Sequence, residues 1–241
     1  GASGTIWFST TTGTTGNDNN TISYCDLRAR NDATPGVPTT VVYSLGTTTS
    51  AAHYNSGNTI TNCNIYNYHN AANEANAFKV SDGNTDWTIS NNSIYQQTGL
   101  TTTTASVYYV FNMNSTSANN HTISGNFIGG SAPSCGASAW TLTGSVASTF
   151  AGMYLNLGTT TASTISNNTF KNFSITTAFA STTLPGLFTT LNMVAGNATI
   201  SGNTIGDGSS TGSITVTSSG TGGTITPAMY IAGSGTVTIS N

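Results

Sequence analysis

Apolar residues in this chain come in short bursts between long polar stretches, and one burst recurs. It reads NTISYCDL, NTITNCNI, WTISNNSI, HTISGNFI, STISNNTF, ATISGNTI and finally VTISN. Its isoleucine falls at Ile22, Ile60, Ile89, Ile123, Ile165, Ile200 and Ile239, at spacings of 38, 29, 34, 42, 35 and 39 residues. A constant motif at an irregular period marks a fixed core joined by loops of free length. A second apolar segment precedes each motif: TIWFS, VVYSL, AFKVS, VYYVF, GMYLNL, TTLNMV and AMYIA. Each repeat therefore predicts a first strand, a loop, the Thr-Ile-Ser strand, a tight turn and a short third strand, with no capped helical period. Such a unit cannot bury its own apolar face. Stacking the units does, in parallel sheets with strands about 4.8 Å apart.

Side chains alternate along a strand, so Ile60 should point inward while Thr59 and Thr61 point out. The turn position follows at Cys25, Cys63, Asn92, Asn126, Asn168, Asn203 and Asn241. Asn tolerates left-handed backbone and bonds locally, and stacked Asn side chains can bond one another up the rod. Leu27, Ile65, Ile94, Ile128, Phe170 and Ile205 then re-enter the core. The last motif stops at Ile239-Ser240-Asn241, so the expectation is one solenoid domain over 1–241 that forms part of a longer chain.

With the strings NNTISYCDLRA, NTITNCNIYNY and NTDWTISNNSIYQ, the chain resembles right-handed parallel β-helix proteins of pectate-lyase-like architecture. In wording it is most similar to the large Thr/Asn/Gly-rich surface proteins that Bacteroidota export by type IX secretion. The resemblance covers nearly the whole chain. It implies an all-β right-handed parallel β-helix of about seven coils, an extracellular or outer-membrane-surface location and an adhesin-like role. The C-terminal sorting domain usual in such proteins is not found in these residues.

Composition narrows the function. Charged residues make up 5% of the chain, and the net charge is −3, against roughly 25% charged residues in ordinary soluble domains. Disorder is disfavoured, because 36% of the chain is hydrophobic, with ten Tyr and nine Phe. Four basic residues cannot neutralise many phosphates, so no nucleic-acid partner is expected. Anionic lipid is disfavoured likewise, and no apolar run is long enough to span a bilayer.

A polysaccharide-cleaving β-helix needs clustered carboxylates, or calcium held by carboxylates. The acids are Asp18, Asp26, Asp32, Glu74, Asp82, Asp86 and Asp207. The outward positions expected on the first strand (Ser44, Lys79, Asn156 and Tyr230) include none of them. Asp18, His53, Asp82 and Asp86 fall between the first and second strands of successive coils and could share a face, although Asp beside Gly or Asn is ordinary turn chemistry. Asp26, Arg28, Arg30 and Asp32 form the densest charge cluster and read as a solvated edge. Cys25 and Cys63 share a motif position in neighbouring coils, where a disulfide and a pair of free thiols both fit. Cys135 has no evident partner, and no spacing suggests a metal or other cofactor.

The outward columns of Thr and Ser raise ice binding, but Ser lacks the methyl group and the coils are irregular. Tyr66, Tyr68 and Tyr95 are the candidate exposed aromatics, on the third strand, where rings can stack on sugars. The expected partners are surface polysaccharide or glycans, together with further coils of the same chain. The loops Gly129–Thr149 and Asp207–Thr226 vary most between coils. The leading expectation is a non-catalytic adhesive stalk or ligand-presenting scaffold. Its alternatives are a polysaccharide lyase or glycoside hydrolase with its site on the loops or outside this segment, a passive spacer, and an ice-binding surface.

Overall fold

A computed structural model describes residues 4–28, 39–207 and 213–240. The two apolar bursts of each repeat form two seven-stranded parallel sheets, each with its strands in sequence order. The first sheet holds Ile6–Phe8, Thr40–Ser44, Ala75–Val80, Val107–Asn114, Thr149–Asn156, Phe188–Ala195 and Met229–Ile231. The second holds the Thr-Ile-Ser strands, in register from Thr21–Ser23 to Val237–Ser240. A six-stranded third sheet runs from Asp26–Arg28 to Thr204–Ile205. The whole is an all-β parallel solenoid of about six turns, consistent with a right-handed parallel β-helix.

The register explains why so few charges suffice. Ile60, Ile89, Ile123, Ile165 and Ile200 stack in one fully buried column, and Ile65, Ile94, Ile128 and Phe170 in another. Each such side chain contributes about 1.5–3 kcal/mol on burial. The outward Thr and Ser are left to meet water. In the last turn the columns open out, with Ile205 and Ile239 exposed.

The Asn column forms as a continuous ladder. Asn92 Nδ2 donates to Asn126 Oδ1 at 3.0 Å, Asn126 Nδ2 to Asn168 Oδ1 at 2.9 Å, and Asn168 Nδ2 to Asn203 Oδ1 at 2.9 Å. Each of these amides also donates to an isoleucine carbonyl of the coil on its other side: Ile60, Ile89 and Ile123. Cys63 joins through its backbone, its N–H donating to Asn92 Oδ1. Asn241 lies outside the described residues.

Three expectations need correction. The left-handed residue of the turn is not the ladder residue but the one before it: Tyr24, Asn62, Asn91, Gly125, Asn167 and Gly202, with φ between 55° and 64°. The ladder residue must send its side chain inward to its neighbours, and the left-handed step before it turns the chain to allow that. Gly125 fits a second need, since a Cβ there would meet Asn91 Oδ1 at 2.4 Å.

The second correction concerns Ser44, which is buried. It pairs in register with Phe8 and Val80 and donates to Asn84 Oδ1 at 2.6 Å. Tyr43 is the outward residue of that coil. Third, the variable segments Gly129–Thr149 and Asp207–Thr226 are not wholly loop. They contribute Trp140–Gly144 and Ile214–Ser218 to a fourth parallel sheet with Leu100–Thr102 and Phe173–Thr177. This sheet closes a wider cross-section in the later coils, which Trp140, Tyr108, Phe150 and Phe173 fill.

Candidate functional site

The third-strand tyrosines do not form an exposed aromatic surface. Tyr68 is 1% exposed, and its hydroxyl donates to the Tyr109 carbonyl at 3.3 Å. Tyr95 is 5% exposed and stacks on Tyr66 with ring centroids 4.9 Å apart. The turn at Pro133–Cys135 packs beside that strand, and Ser134 N–H donates to Ser93 Oγ. Burial, then Tyr66 and Asp26 nearby, push the Tyr95 phenol up to about 12. Of the three, Tyr66 alone keeps an open flank, as a half-buried residue.

The acids are engaged singly, with different partners. Asp18 accepts from the Ser56 N–H and hydroxyl, Asp26 from Asn64 and Asp86 from Asn120. His53 Nδ1 pairs with the Thr49 hydroxyl. Asp207 lies 3.7 Å from Lys171 Nζ. Arg30 and Asp32 lie outside the described residues. Among the described residues, no three His, Cys, Asp or Glu side chains are grouped so as to hold a metal ion.

The cysteines are free: Cys25 exposed, Cys63 and Cys135 buried. Burial raises the Cys63 thiol, which lies 3.3 Å from the Thr61 carbonyl oxygen. His69 packs its ring against Tyr68, Tyr108 and Trp140, with both ring nitrogens buried and unpartnered among the described residues. Burial drives its pKa down to about 3. It is a neutral, half-buried residue whose ring nitrogens are turned away from water.

What the fold does build is a cavity on the outer face of the first sheet. Parallel register sets the outward side chains in columns. One runs Trp7, Tyr43, Lys79, Asn112, Tyr154, Asn192, Tyr230. A second runs Thr40, Asn76, Tyr109, Ala151, Thr189. Ala151, between Tyr109 and Thr189, leaves a depression. Tyr109 and Tyr154 border it edge to face, with centroids 5.8 Å apart.

The segment from Phe179 to Gly186 forms the opposite wall and encloses about 380 Å³, within the usual range for small-ligand sites. The wall is braced at both ends: Ala178 N–H donates to the Val146 carbonyl, and Leu187 N–H to that of Ile225. Thr189 Oγ1 ties it to the sheet by donating to the Pro185 carbonyl at 2.6 Å. Gly186 is required there, since it has φ +89° and a Cβ would lie 2.1 Å from the Ile225 carbonyl oxygen.

The lining is largely apolar and carries no charged side chain. Beside it, Lys79 Nζ and Asn76 Nδ2 both donate to Glu74 Oε1, at 2.9 and 3.1 Å, and Asn112 Nδ2 donates to Asn76 Oδ1. The sequence reading placed no acid on this face; Glu74 reaches it from the start of its strand, already engaged. Burial, with smaller effects from Glu74 and Tyr154, raises the Tyr109 phenol to about 12, so it is a neutral donor at any ordinary pH. Tyr230 and Lys79 do project from this face, as the sequence suggested. Tyr109, Tyr154 and Asn192 were missed as a group, although the apolar segments that contain them had been aligned.

A second cavity of about 570 Å³, lined by Phe188, Ile214 and Val216 among others, continues the core into the last turn. It is an unfilled end of the core rather than a built site. Comparison with protein-family models, curated proteins and solved structures found no match.

Proposed function

We propose that this chain is a rigid segment of a cell-surface or secreted protein that binds neutral carbohydrate without cleaving it, at the outer face of its first sheet. The observation that carries this reading is the cavity bounded by Tyr109, Tyr154 and the wall from Phe179 to Gly186, which has no ionised lining residue. Aromatic rings and side-chain amides on a fixed scaffold suit sugars, whose faces are apolar and whose edges are polar. The scaffold needs no ordering on binding, since every floor residue sits on a paired strand. Glycosidic cleavage in its usual form takes two carboxyl groups about 5–10 Å apart, whereas Glu74 stands by this face bonded to Lys79 and Asn76. The adhesive role and the extracellular location rest on the repeat resemblance and on a surface of hydroxyls and amides.

The test is a polysaccharide and glycan array on the folded chain, with product analysis on each hit. Binding without new reducing or unsaturated ends is expected, weakened at least tenfold by Tyr154→Ala. Cleavage would replace this reading with the enzyme. No binding to any glycan would leave the spacer.

A further inference from the structure

Asn192 is the anomaly of this cavity. It is 4% exposed, and among the described residues its Oδ1 is buried without a partner. The other outward amides of the sheet satisfy one another: Asn112 bonds Asn76, and Asn156 Nδ2 donates to Asn114 Oδ1 at 2.9 Å. Asn192 cannot do likewise, because its register neighbours on the two adjacent coils are Tyr154 and Tyr230. Leaving a buried acceptor unpaired costs about 1–3 kcal/mol, a cost that a ligand with the right donor would remove.

We infer that this cavity takes the acetamido group of a 2-acetamido sugar, with the Asn192 side chain pairing to it amide to amide. Once the side chain turns Oδ1 from its buried position toward the cavity it lines, Oδ1 accepts the ligand N–H, Nδ2 donates to the ligand carbonyl, and the acetyl methyl lies against Ala151, Leu184 and Pro185. Tyr154 lies beside Asn192 in register and offers its ring to the sugar. This inference rests on the carbohydrate-binding reading and narrows it.

Three features select this group. The lining carries no charge, so uronic acids and sulfated sugars would lose their counter-ions on entry. A plain hexose would set a hydroxyl against the apolar Leu184–Pro185 part of the wall, where the acetyl methyl fits better. An extended peptide also carries amides, but the strands beneath are already paired on both sides, so most of its backbone groups would go unmatched.

The experiment is calorimetric titration of the whole chain with the β-1,4-linked trimer of N-acetylglucosamine and with the corresponding glucose trimer, which differ only at C2. The acetylated trimer should bind at least tenfold tighter. Asn192→Leu should abolish that preference, and Ala151→Leu should weaken the acetylated trimer by filling the floor. A cooperative thermal transition in each variant confirms folding. Equal binding of the two trimers, still sensitive to Tyr154→Ala, would overturn the acetamido inference and keep the carbohydrate reading. Failure of both trimers, and of every glycan on the array, would overturn both. An N-acetylated dipeptide amide binding as tightly as the acetylated trimer would overturn the inference in favour of a peptide ligand.

Discussion

Asn168 and Asn192 are the same residue type, each held almost wholly out of water on successive turns of one solenoid. Asn168 makes four side-chain hydrogen bonds: its Nδ2 donates to Ile123 and Asn203, and its Oδ1 accepts from the N–H and Nδ2 of Asn126. Asn192 Oδ1 accepts none among the described residues. Parallel stacking places identical positions about 4.8 Å apart, so the fate of an amide is set by what the next coil carries in the same column. Asn above Asn gives a ladder, which is structural. Asn between Tyr154 and Tyr230 leaves an unpaired amide beside two rings, which is chemistry available to a ligand.

The largest blow to this contrast should come from Asn126→Ala in mid-ladder. It would strand the Asn92 N–H and one of its two Nδ2 hydrogens, and take a donor from the Ile89 carbonyl and two from Asn168 Oδ1. At about 1–3 kcal/mol for each buried group left unsatisfied, a loss of about 3–5 kcal/mol is expected in denaturant titration. A loss under 1 kcal/mol would mean that water replaces the ladder freely.

Acid should act next, through His121. This residue lies on the buried column of Asn58, Trp87 and Ser163, and its Nδ1 accepts the Trp87 N–H at 3.1 Å. Its proton must then sit on Nε2, which is buried and unpartnered. Burial lowers its pKa to about 4, the nearby Asp86 opposing only in part. The unfolded chain takes up a proton near 6.5 and the folded one does not. Stability is therefore level above pH 6.5 and falls as pH drops toward 4, by up to about 1.4 kcal/mol per unit. His121→Gln should flatten the part of that slope due to this residue; an unchanged slope would assign it to His69, whose pKa is lowered further still.

A smaller gain is expected from Cys63→Asn. The Cys63 backbone N–H already meets Asn92 Oδ1, and its thiol sits 3.8 Å from the Ile22 carbonyl. An amide there would extend the ladder by one rung and add about 1 kcal/mol, readable as a higher denaturation midpoint. Asn192→Leu should cost nothing and gain up to about 1 kcal/mol, because it removes an unpaired buried acceptor. A loss like that of Asn126→Ala would show that Asn192 is a structural residue after all.

Much of this molecule is legible in its sequence, and the legible part has one physical character. The isoleucine columns, the register of seven Thr-Ile-Ser strands and the Asn ladder depend on what repeats, and a repeat in sequence becomes a stack in space. Some signals were visible but misassigned. The Asn or Gly before each ladder residue, in SNN and SGN, marks the left-handed step, yet the step was placed one residue late. Other features depend on what does not repeat. The burial of Tyr68 and Tyr95 follows from the wide aromatic core and from the turn at Pro133–Cys135, neither of which the motif predicts.

By itself, then, the sequence determined the solenoid, its register and the identity of its ladder, because alternation and period translate directly into inward and outward faces. Only the tertiary structure decided that a fourth sheet closes the later coils, that Ser44 and Tyr68 point inward, and that the segment from Phe179 to Gly186 folds over Ala151 to wall a cavity. Those outcomes turn on loop paths and on contacts between coils more than thirty residues apart, where no local pattern of hydrophobic and polar residues carries the information.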